Sequence, residues 1–230
     1  MKKLTKRIKK NNQKIEQRFY EKTEAIKILK ETANAQFIES VEVHIALYIN
    51  PKYSDQQLRN TLILPKGIGK SKRIAALVPI ETNINDFEHL AYKIGSDDLI
   101  EEINQGKIDF DILIATPDMM PKLAKLGRVL GPKGLMPSPK AGTVTTNIKL
   151  TLEEFTKGKF EYRADKTGIV HLMIGKINFT ELDLLENLNA VYKSIETNKP
   201  TGVKGRYFKT FHICSTMGPS IKLDLLSLKS

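Results

Sequence analysis

The chain has 230 residues, of which 40% are hydrophobic and 27% are charged, and its formal net charge at pH 7 is +11. This length allows one large domain or two small ones, and the single cysteine, Cys214, excludes an internal disulfide framework. No apolar run approaches the roughly 20 residues of a membrane span, and we expect no secretory signal because no apolar stretch follows the basic N-terminus. The basic excess indicates a polyanionic partner, either nucleic acid or an anionic membrane surface.

The N-terminal part of the chain is typical of two helices followed by two strands. Residues 1–22 hold nine Lys or Arg against two Glu, with few apolar residues, which predicts a basic helix on the surface. Thr23 is the predicted N-cap of a second helix in TEAIKILKETAN. In SVEVHIALYIN, which begins at Ser40, apolar residues alternate without a break and predict a strand that ends before Pro51. Leu62–Leu64 is predicted to form a short second strand.

The middle of the chain alternates between strand and helix patterns. The predicted buried strands are RIAALVPI (73–80) and FDILIAT (110–116). The predicted helices are NDFEHLAYKIG (85–95), DDLIEEINQG (97–106) and PDMMPKLAKLG (117–127), the last with proline in its first turn. Such alternation predicts a parallel sheet in an α/β domain.

The C-terminal part returns to mixed elements. KFEYRADKTGIVHLMIGK (159–176) predicts a hairpin with its turn at Asp165–Gly168. A long helix is predicted from Thr180 to about Asn198, followed by strands in GRYFKTFHICST (205–216) and IKLDLL (221–226). Together with the N-terminal elements, these predict a domain of the α+β class.

The net charge is divided unevenly along the chain. Residues 67–156 hold 11 basic and 12 acidic residues, whereas the flanking residues 1–66 and 157–230 hold 26 basic and 14 acidic residues, a net charge of +12. This division predicts a discontinuous α+β domain (1–66 and 157–230) that carries an inserted α/β domain (67–156). The discontinuous domain is therefore the expected binding surface for the polyanion.

The inserted domain nevertheless contains a basic stretch without any acidic residue, LGRVLGPKGLMPSPKAGTV (126–144). It holds four glycines, three prolines and three basic residues: Arg128, Lys133 and Lys140. Glycine lets the backbone approach a phosphate closely, and lysines without a competing carboxylate supply charge. These properties suit a loop beside a polyanion, and a contact of this kind is implied by the family resemblance described below.

Patterns of enzyme and metal sites are weak. GIGKS (67–71) resembles a phosphate-binding loop, but Leu64 stands where that motif requires its first glycine. The four histidines (His44, His89, His171, His212) are far apart in the sequence and have no partner at metal-binding spacing, so no metal, cofactor or Cys/His nucleophile is expected. Two alternatives stay open at this point: a nucleotide-dependent enzyme using the α/β domain, and a general binder of anionic membranes.

Two features of the discontinuous domain fit nucleic-acid contacts. STMGPS (215–220) combines three hydroxyls, a methionine and a glycine at the end of a basic strand, and such a loop can contact sugars, phosphates and bases. An ordinary turn is the alternative. Phe37 lies in polar surroundings before the first long strand, and core packing is the alternative for it.

Taken together, the motifs resemble those of the large-subunit ribosomal protein L-one family, in its bacterial and plastid type. The segments that carry the resemblance run in order along nearly the whole chain: LTKR, FIESVEV, SDQQLR, LPKGIGK, DFDILIATPDMM, LGRVLGPKGLMPSPKAGTVT, YRADKTGIVH, IGK, KPTGVKG and STMGPS. The GPKGLMP and TMGPS segments are the most specific of them.

The resemblance implies a fold and a function. The fold is a discontinuous α+β domain with an inserted α/β, Rossmann-like, three-layer domain, joined by a hinge. The function is that of a structural protein, not an enzyme, that binds large-subunit ribosomal RNA and builds the mobile stalk near the exit site, where it assists the release of deacylated tRNA. Further implied partners are other ribosomal components and its own messenger RNA, whose translation it would repress; no membrane is implied.

The resemblance also implies the site residues, by their numbers in this sequence. The primary RNA contacts are Lys6, Arg7, Phe37, Ser40, Arg163, Asp165, Lys166, Thr167, Thr216, Met217 and Gly218. The secondary contacts are Arg128, Gly131, Lys133, Gly134 and Lys140. The chain also has 30 lysines against 7 arginines and 25 isoleucines, which suggests an AT-rich genome and favours the ribosome of a plastid, with a bacterial cytoplasm as the alternative.

Overall fold

The structure is a computed structural model that describes residues 5–70, 72–79 and 88–229. The chain divides into two compact units, a first unit of Met1–Gly69 with Tyr162–Ser230 and a second unit of Lys70–Glu161. Within the described ranges, no helix has the length and apolar character needed to cross a lipid bilayer.

The elements follow in chain order. The helices are α1 (Lys6–Gln13), α2 (Lys22–Thr32), α3 (Asp97–Asn104), α4 (Met120–Ala124), α5 (Gly127–Leu130), α6 (Ile148–Thr156), α7 (Glu181–Thr197) and α8 (Leu225–Lys229). The strands are β1 (Ser40–Leu47), β2 (Arg59–Ile63), β3 (Ile74–Leu77), β4 (Lys93–Gly95), β5 (Ile112–Ala115), β6 (Lys159–Arg163), β7 (Ile169–Lys176), β8 (Phe208–Ser215) and β9 (Ile221–Lys222). Short 3₁₀ turns lie at Ser54–Gln56, Glu88–Leu90, Pro117–Met119 and Pro139–Ala141.

The first unit is built on an antiparallel sheet with the strand order β7-β1-β8-β9. Residues of β1 are alternately buried and half-buried, so the predicted strand and its alternation are confirmed. The buried face packs against α2 and α7. The other face, which we call the open face, carries the half-buried residues of β1, among them Glu42 and His44.

The N-terminal helices differ from the prediction at their ends. The basic helix ends at Gln13 and does not continue to Lys22, because Tyr20 joins the edge of the sheet: its N–H donates to the Lys222 carbonyl over 2.9 Å. Thr23 is not the N-cap of α2, since this helix begins at Lys22 after Glu21.

The predicted hairpin of residues 159–176 is only partly formed. Its turn at Asp165–Gly168 is present, but β7 pairs with β1 while β6 pairs with β2 in a separate two-stranded sheet. Only an isolated bridge, Ala164 to Val170, joins the two arms beside the turn.

The C-terminal strands are shorter than predicted, whereas the long helix α7 spans the predicted range. α7 begins as predicted with Thr180 as its N-cap, and Asp183 completes a capping box. The strand predicted over IKLDLL ends at Lys222, because Asp224 accepts from the Leu226 N–H (3.0 Å) and starts α8.

The second unit holds a parallel sheet with the order β4-β3-β5. Both strands predicted there are present and buried. Alternate residues of β3 face two apolar clusters: Ala75 and Leu77 pack against α3, α4 and α5, while Ile74 and Ala76 pack against α6. The sheet is therefore covered on both faces, as a parallel sheet requires.

The helix predicted over residues 85–95 is wrong in its described part. Residues 85–87 lie outside the described residues, Glu88–Leu90 form a 3₁₀ turn, and β4 follows. Leu90, Ala91 and Ile94 have helical spacing, but Ile94 pairs with Ala76 of β3, so a tertiary strand pairing overrides the local pattern.

Candidate nucleic-acid interface

The first unit carries all of the net positive charge. Residues 70–161 contain 13 basic and 13 acidic residues, whereas the first unit contains 24 basic and 13 acidic residues and has a net charge of +11. A polyanion is therefore attracted to the first unit.

At one end of the sheet, the segment before β1 meets the loop after β8. The Ser40 N–H donates to Thr216 Oγ1 (3.0 Å), and the Thr216 N–H donates back to the Ser40 carbonyl (3.1 Å). The structure therefore brings together four predicted site residues, Phe37, Ser40, Thr216 and Met217, with Gly218 beside them. We call this group, residues 37–40 with 216–218, the loop platform.

Glu39, which the sequence interpretation did not single out, organises the loop platform. Its side chain is buried, with 1% of its surface exposed, and it accepts from Ser215 Oγ (2.7 Å), Met217 N–H (2.9 Å) and Ala35 N–H (3.0 Å). Burial alone would raise the pKa of Glu39, but these three hydrogen bonds together outweigh it and lower the pKa. The carboxylate is therefore ionised at neutral pH and ties both segments together.

Two large apolar side chains project from the loop platform. Phe37 is 54% exposed and Met217 is 49% exposed, so core packing, the alternative for Phe37, is excluded. Ile38, the next residue along the chain from Phe37, is also exposed. Exposed apolar side chains beside polar backbone groups fit a base or ribose as well as hydrogen-bond partners.

The basic helix α1 is anchored near the same end. Asn11 is buried and donates from Nδ2 to the Thr32 carbonyl (2.8 Å) and to Asn34 Oδ1 (3.2 Å), just before the loop platform. Arg7, one turn earlier on α1, lowers the pKa of Glu39 through its charge. Lys6 and Arg7 therefore share this end of the unit.

The other predicted contacts lie at the opposite end of the sheet. Ser40 pairs with Lys176, whereas Ala46 pairs with Ile169, directly after the Asp165–Gly168 turn. Six residue steps along β1, at about 3.4 Å each, separate the two ends by roughly 20 Å. The structure thus does not bring Arg163, Asp165, Lys166 and Thr167 to the loop platform.

Within that turn the predicted residues have different roles. Asp165 accepts from the N–H groups of Thr167 (2.9 Å) and Ile169 (2.8 Å) and from Thr167 Oγ1 (2.7 Å). The Ile169 N–H, followed by the Thr167 hydroxyl, lowers the pKa of Asp165 to about 2. Asp165 and Thr167 hold the turn, while Arg163 and Lys166 are exposed and available for contacts.

A basic and aromatic patch near this turn was not among the predicted contacts. The Tyr48 ring, half exposed at the end of β1, lies 5.9 Å from Arg206 Cζ and 6.0 Å from Lys209 Nζ. Both basic residues belong to the carboxylate-free segment after Glu196. The absence of carboxylates from residues 197–223 is the sequence feature that could have indicated this patch.

In the second unit, the basic stretch of residues 126–144 is not one continuous loop: it contains α5 and the 3₁₀ turn at Pro139–Ala141, with loops between and after them. Leu130, Leu135 and Met136 pack into the core and anchor it. Gly134 has φ +69°, a conformation that favours glycine. All five predicted secondary contacts are exposed: Arg128, Gly131, Lys133, Gly134 and Lys140. No ion pair among the described residues includes the three basic ones.

The structure corrects the expectation that the histidines have no partners. His44 of β1 pairs with His171 of β7 on one side and with His212 of β8 on the other, so three histidines form a row across the sheet. Cys214 contacts His44. Residues that are 127 and 170 positions apart are neighbours because of the strand register.

Comparisons with known proteins show which family this chain resembles. The model of the ribosomal protein L1p/L10e family matches residues 29–219. The chain is 63% identical over 230 residues to the large ribosomal subunit protein uL1c of Trieres chinensis, with 98% of each chain covered. It is 59% identical to the uL1c of Phaeodactylum tricornutum (98% of each chain) and 56% identical to the uL1 of Prochlorococcus marinus strain MIT 9515, covering 100% of this chain and 97% of the relative.

Proposed function

The chain belongs to the ribosomal protein L1p/L10e family, a structural and non-enzymatic family of the large ribosomal subunit, and from this premise we propose that its first unit binds large-subunit ribosomal RNA directly. The ribosome in question is that of a plastid or of a bacterial cytoplasm, since the relatives include uL1c of algae and uL1 of Prochlorococcus.

The loop platform is the observation that carries the proposal. It is a preorganised surface, because the buried Glu39 fixes the loop before any RNA arrives. A preformed surface loses less conformational entropy on binding than a mobile loop does. It lies in the unit that carries all the net positive charge. The preformed surface and the electrostatic attraction for RNA are therefore on the same unit.

Each predicted residue takes a specific role in this proposal. The side chains of Phe37 and Met217 contact bases or riboses, and the backbone at Gly218 approaches the RNA closely. The hydroxyl of Thr216 already bonds to Ser40, so both residues position the loop. Lys6 and Arg7 neutralise phosphates beside the loop platform.

The opposite end of the sheet is the second region of contact in the proposal. Arg163 and Lys166 project from the turn that Asp165 and Thr167 hold, and the Tyr48 patch adds Arg206 and Lys209 nearby. An RNA element that reaches both ends would span roughly 20 Å of the sheet. This distance fits a folded RNA better than a single nucleotide.

The second unit has a supporting role in the proposal. We infer that it is an inserted Rossmann-like domain of three layers, because its parallel strands are covered by helices on both faces. Its basic stretch (126–144), with the exposed Arg128, Lys133 and Lys140, makes the secondary contacts with the same RNA.

The wider function follows from the family resemblance. The bound RNA element is the mobile stalk near the exit site, and the protein assists the release of deacylated tRNA from that site. Repression of translation through its own messenger RNA belongs to the same proposal, because a messenger segment that imitates the stalk RNA would use the same loop platform.

Crosslinking in isolated ribosomes tests the proposal. Ribosomes that contain the chain are irradiated with ultraviolet light, and the crosslinked peptides and nucleotides are identified by mass spectrometry and primer extension. Crosslinks from Phe37 or Met217 to the stalk element of large-subunit RNA are expected. Crosslinks confined to the second unit, or to RNA outside the stalk, would contradict it.

A further inference from the structure

Three side chains with metal-ligating atoms converge on the open face of the sheet. Glu42 and His44 lie two residues apart on β1, and Cys214 of β8 is the cross-strand partner of Glu42. His44 Nε2 is 3.2 Å from Cys214 Sγ and 3.9 Å from Glu42 Oε2, and one ligand atom from each residue lies within 4.8 Å of the others. In a tetrahedral zinc site the ligand atoms are about 3.5 Å apart, so side-chain shifts of about 1 Å would close these three on one cation.

A neighbouring histidine holds His44 in the tautomer that a metal requires. His44 Nδ1 and His171 Nδ1 are 2.8 Å apart, so one of them donates a proton to the other. His171 Nε2 faces Asp165 Oδ2 at 3.6 Å, and an ionised carboxylate favours a proton on that nitrogen. His171 Nδ1 is then the acceptor and His44 Nδ1 the donor, which leaves the lone pair of His44 Nε2 directed toward Cys214 and Glu42.

We propose that Glu42, His44 and Cys214 form a binding site for a divalent transition-metal ion of the zinc class, with His171 and Asp165 as the outer residues that orient His44. A thiolate and an imidazole favour zinc-class ions over magnesium or calcium, which prefer oxygen ligands. The pairing of a ligating imidazole with an acceptor on its other nitrogen is typical of metal sites. Three protein ligands leave a fourth position for water or another donor.

The protonation states of His44 and Cys214 determine which proton a cation must displace when it binds. Burial, followed by the charge of His171, lowers the pKa of His44, so its ring is neutral at pH 7 and able to ligate. Burial, followed by the Glu42 carboxylate, raises the pKa of Cys214 to about 11, so the thiol is protonated before binding. Metal binding therefore releases the thiol proton to solvent. The positive charge of the cation compensates for the energetic cost of a buried thiolate beside a carboxylate.

Cobalt(II), a spectroscopic substitute for zinc, provides the direct test on the purified full-length chain. We expect a thiolate-to-cobalt charge-transfer band together with the intense visible bands of tetrahedral cobalt, and we expect zinc to displace both. Zinc should also slow alkylation of Cys214 by iodoacetamide in the wild-type chain. The absence of a charge-transfer band, or of protection by zinc, would overturn the proposal without any variant.

Variants distinguish a site with three ligands from metal binding by the Cys214 thiol alone. His44→Asn and Glu42→Gln should each weaken cobalt binding at least about 10-fold. His171→Leu should weaken it by about 10- to 100-fold, and His171→Asn, which keeps an acceptor near the Nδ1 position, should restore part of the loss. His89→Asn, in the second unit, is the matched control and should bind cobalt as the wild type does. Equal affinity in the wild type, His44→Asn and Glu42→Gln would show that the thiol alone binds the metal, and the proposed site would be wrong.

Discussion

At the scale of single residues, Gly218 shows how tightly the loop platform is built. A Cβ atom at this position would overlap Ser215 Oγ, the hydroxyl that donates to Glu39. Gly218→Ala should therefore displace Ser215, lower the free energy of unfolding by about 1–3 kcal/mol and weaken RNA binding. Urea unfolding and an RNA titration measure the two effects.

The matched control for this substitution is Gly127→Ala. A Cβ atom at Gly127 has no neighbour within 4 Å and its φ is not positive, so the change should be neutral or slightly stabilising. If Gly218→Ala is as stable as Gly127→Ala, the close approach at Ser215 does not constrain the loop.

Met217 tests whether the loop platform contacts RNA. Met217→Asp should reduce the affinity for stalk RNA at least 100-fold, because a carboxylate against RNA adds both a desolvation cost and repulsion from phosphates. Leu150→Asp in the second unit is the control, since Leu150 is 52% exposed and the charge change is the same. Circular dichroism verifies folding of both variants. Binding by Met217→Asp within a few-fold of the control would remove this residue from the interface.

At the scale of elements, the Asp165 turn gives a prediction for acid stability. Hydrogen bonds lower the pKa of Asp165 from 3.8 to about 2, so the folded state holds the ionised carboxylate more strongly than the unfolded state does. The stabilisation is fully present above about pH 4 and is lost as the pH falls through about 2. Asp165→Asn should thus lower the free energy of unfolding at pH 7 by about 1 kcal/mol, a value reduced by solvent screening because the side chain is 40% exposed.

Urea unfolding of the wild type and Asp165→Asn as a function of pH measures this difference. The two curves should converge between pH 4 and pH 2. Asp55→Asn is a control carboxylate in the same unit, on the 3₁₀ turn at Ser54–Gln56. A gap between wild type and Asp165→Asn that stays constant down to pH 2 would mean that the ionised carboxylate does not stabilise the turn.

Asn187 links α7 to residues 66 and 67, which lie near the end of the N-terminal segment of the first unit. Its side chain is fully buried, donates to the Ile174 carbonyl (2.7 Å) and the Gly67 carbonyl (3.1 Å), and accepts from the Lys66 N–H (3.1 Å). Asn187→Leu leaves one buried and two partly buried backbone groups without this partner and should destabilise the protein by about 1–3 kcal/mol. Thermal and urea unfolding measure it, with Asn189→Leu on the same helix as the comparison. If both variants lose the same stability, the loss comes from placing leucine on α7 and not from the broken contact with residues 66 and 67.

Elements with a strong local pattern could be predicted from the sequence, and elements decided by tertiary pairing could not. The alternation of β1 and the capping of α7 by Thr180 are local signals, and both are present. β4 was missed because its pairing with β3 cannot be inferred from the residues near it in the sequence. The arms of the hairpin at 159–176 separate because β7 pairs with β1 and β6 pairs with β2, in different sheets.

At the scale of the whole molecule, the binding sites could also be predicted only where the signal lies in the sequence itself and not in the tertiary structure. The charge division is a property of the sequence, and the exposed Phe37 and Met217 follow from the family motifs. Glu39 was missed because nothing in FIESVEV tells which carboxylate is buried. The neighbouring side chains of His44 and Cys214 depend on the register of β1 against β8, which places residues 170 positions apart in contact.

The family resemblance implies a hinge between the domains, and LPKGIGK (64–70) and residues 157–159 are the two linkers where we expect it. The contacts of the first linker limit where its backbone can bend. Leu64 and Ile68 are buried within the first unit, and Asn187 binds residues 66 and 67, so this part of the segment is held in place. We therefore expect the pivot at or after Gly69, where φ is +73°. Spin labels in the two units should show a broad distance distribution that narrows when stalk RNA binds both units. Identical distributions with and without RNA would argue against a hinge at this place.

The division of charge predicts which unit supplies the affinity. A chain without residues 70–161, rejoined by a short flexible linker, keeps a net charge of +11 and should keep most of the affinity for stalk RNA. Its affinity should still fall steeply with salt, with a slope smaller than that of the full chain by at most about 2–3, because each neutralised phosphate releases counterions. In the full chain, Arg128→Gln with Lys133→Gln and Lys140→Gln should reduce the slope of log affinity against log salt by at most about 2–3. Circular dichroism verifies that the shortened chain folds. If the folded short chain binds weakly or without salt dependence while the triple variant loses most of its affinity, the second unit is the principal RNA-binding surface and the loop platform is secondary.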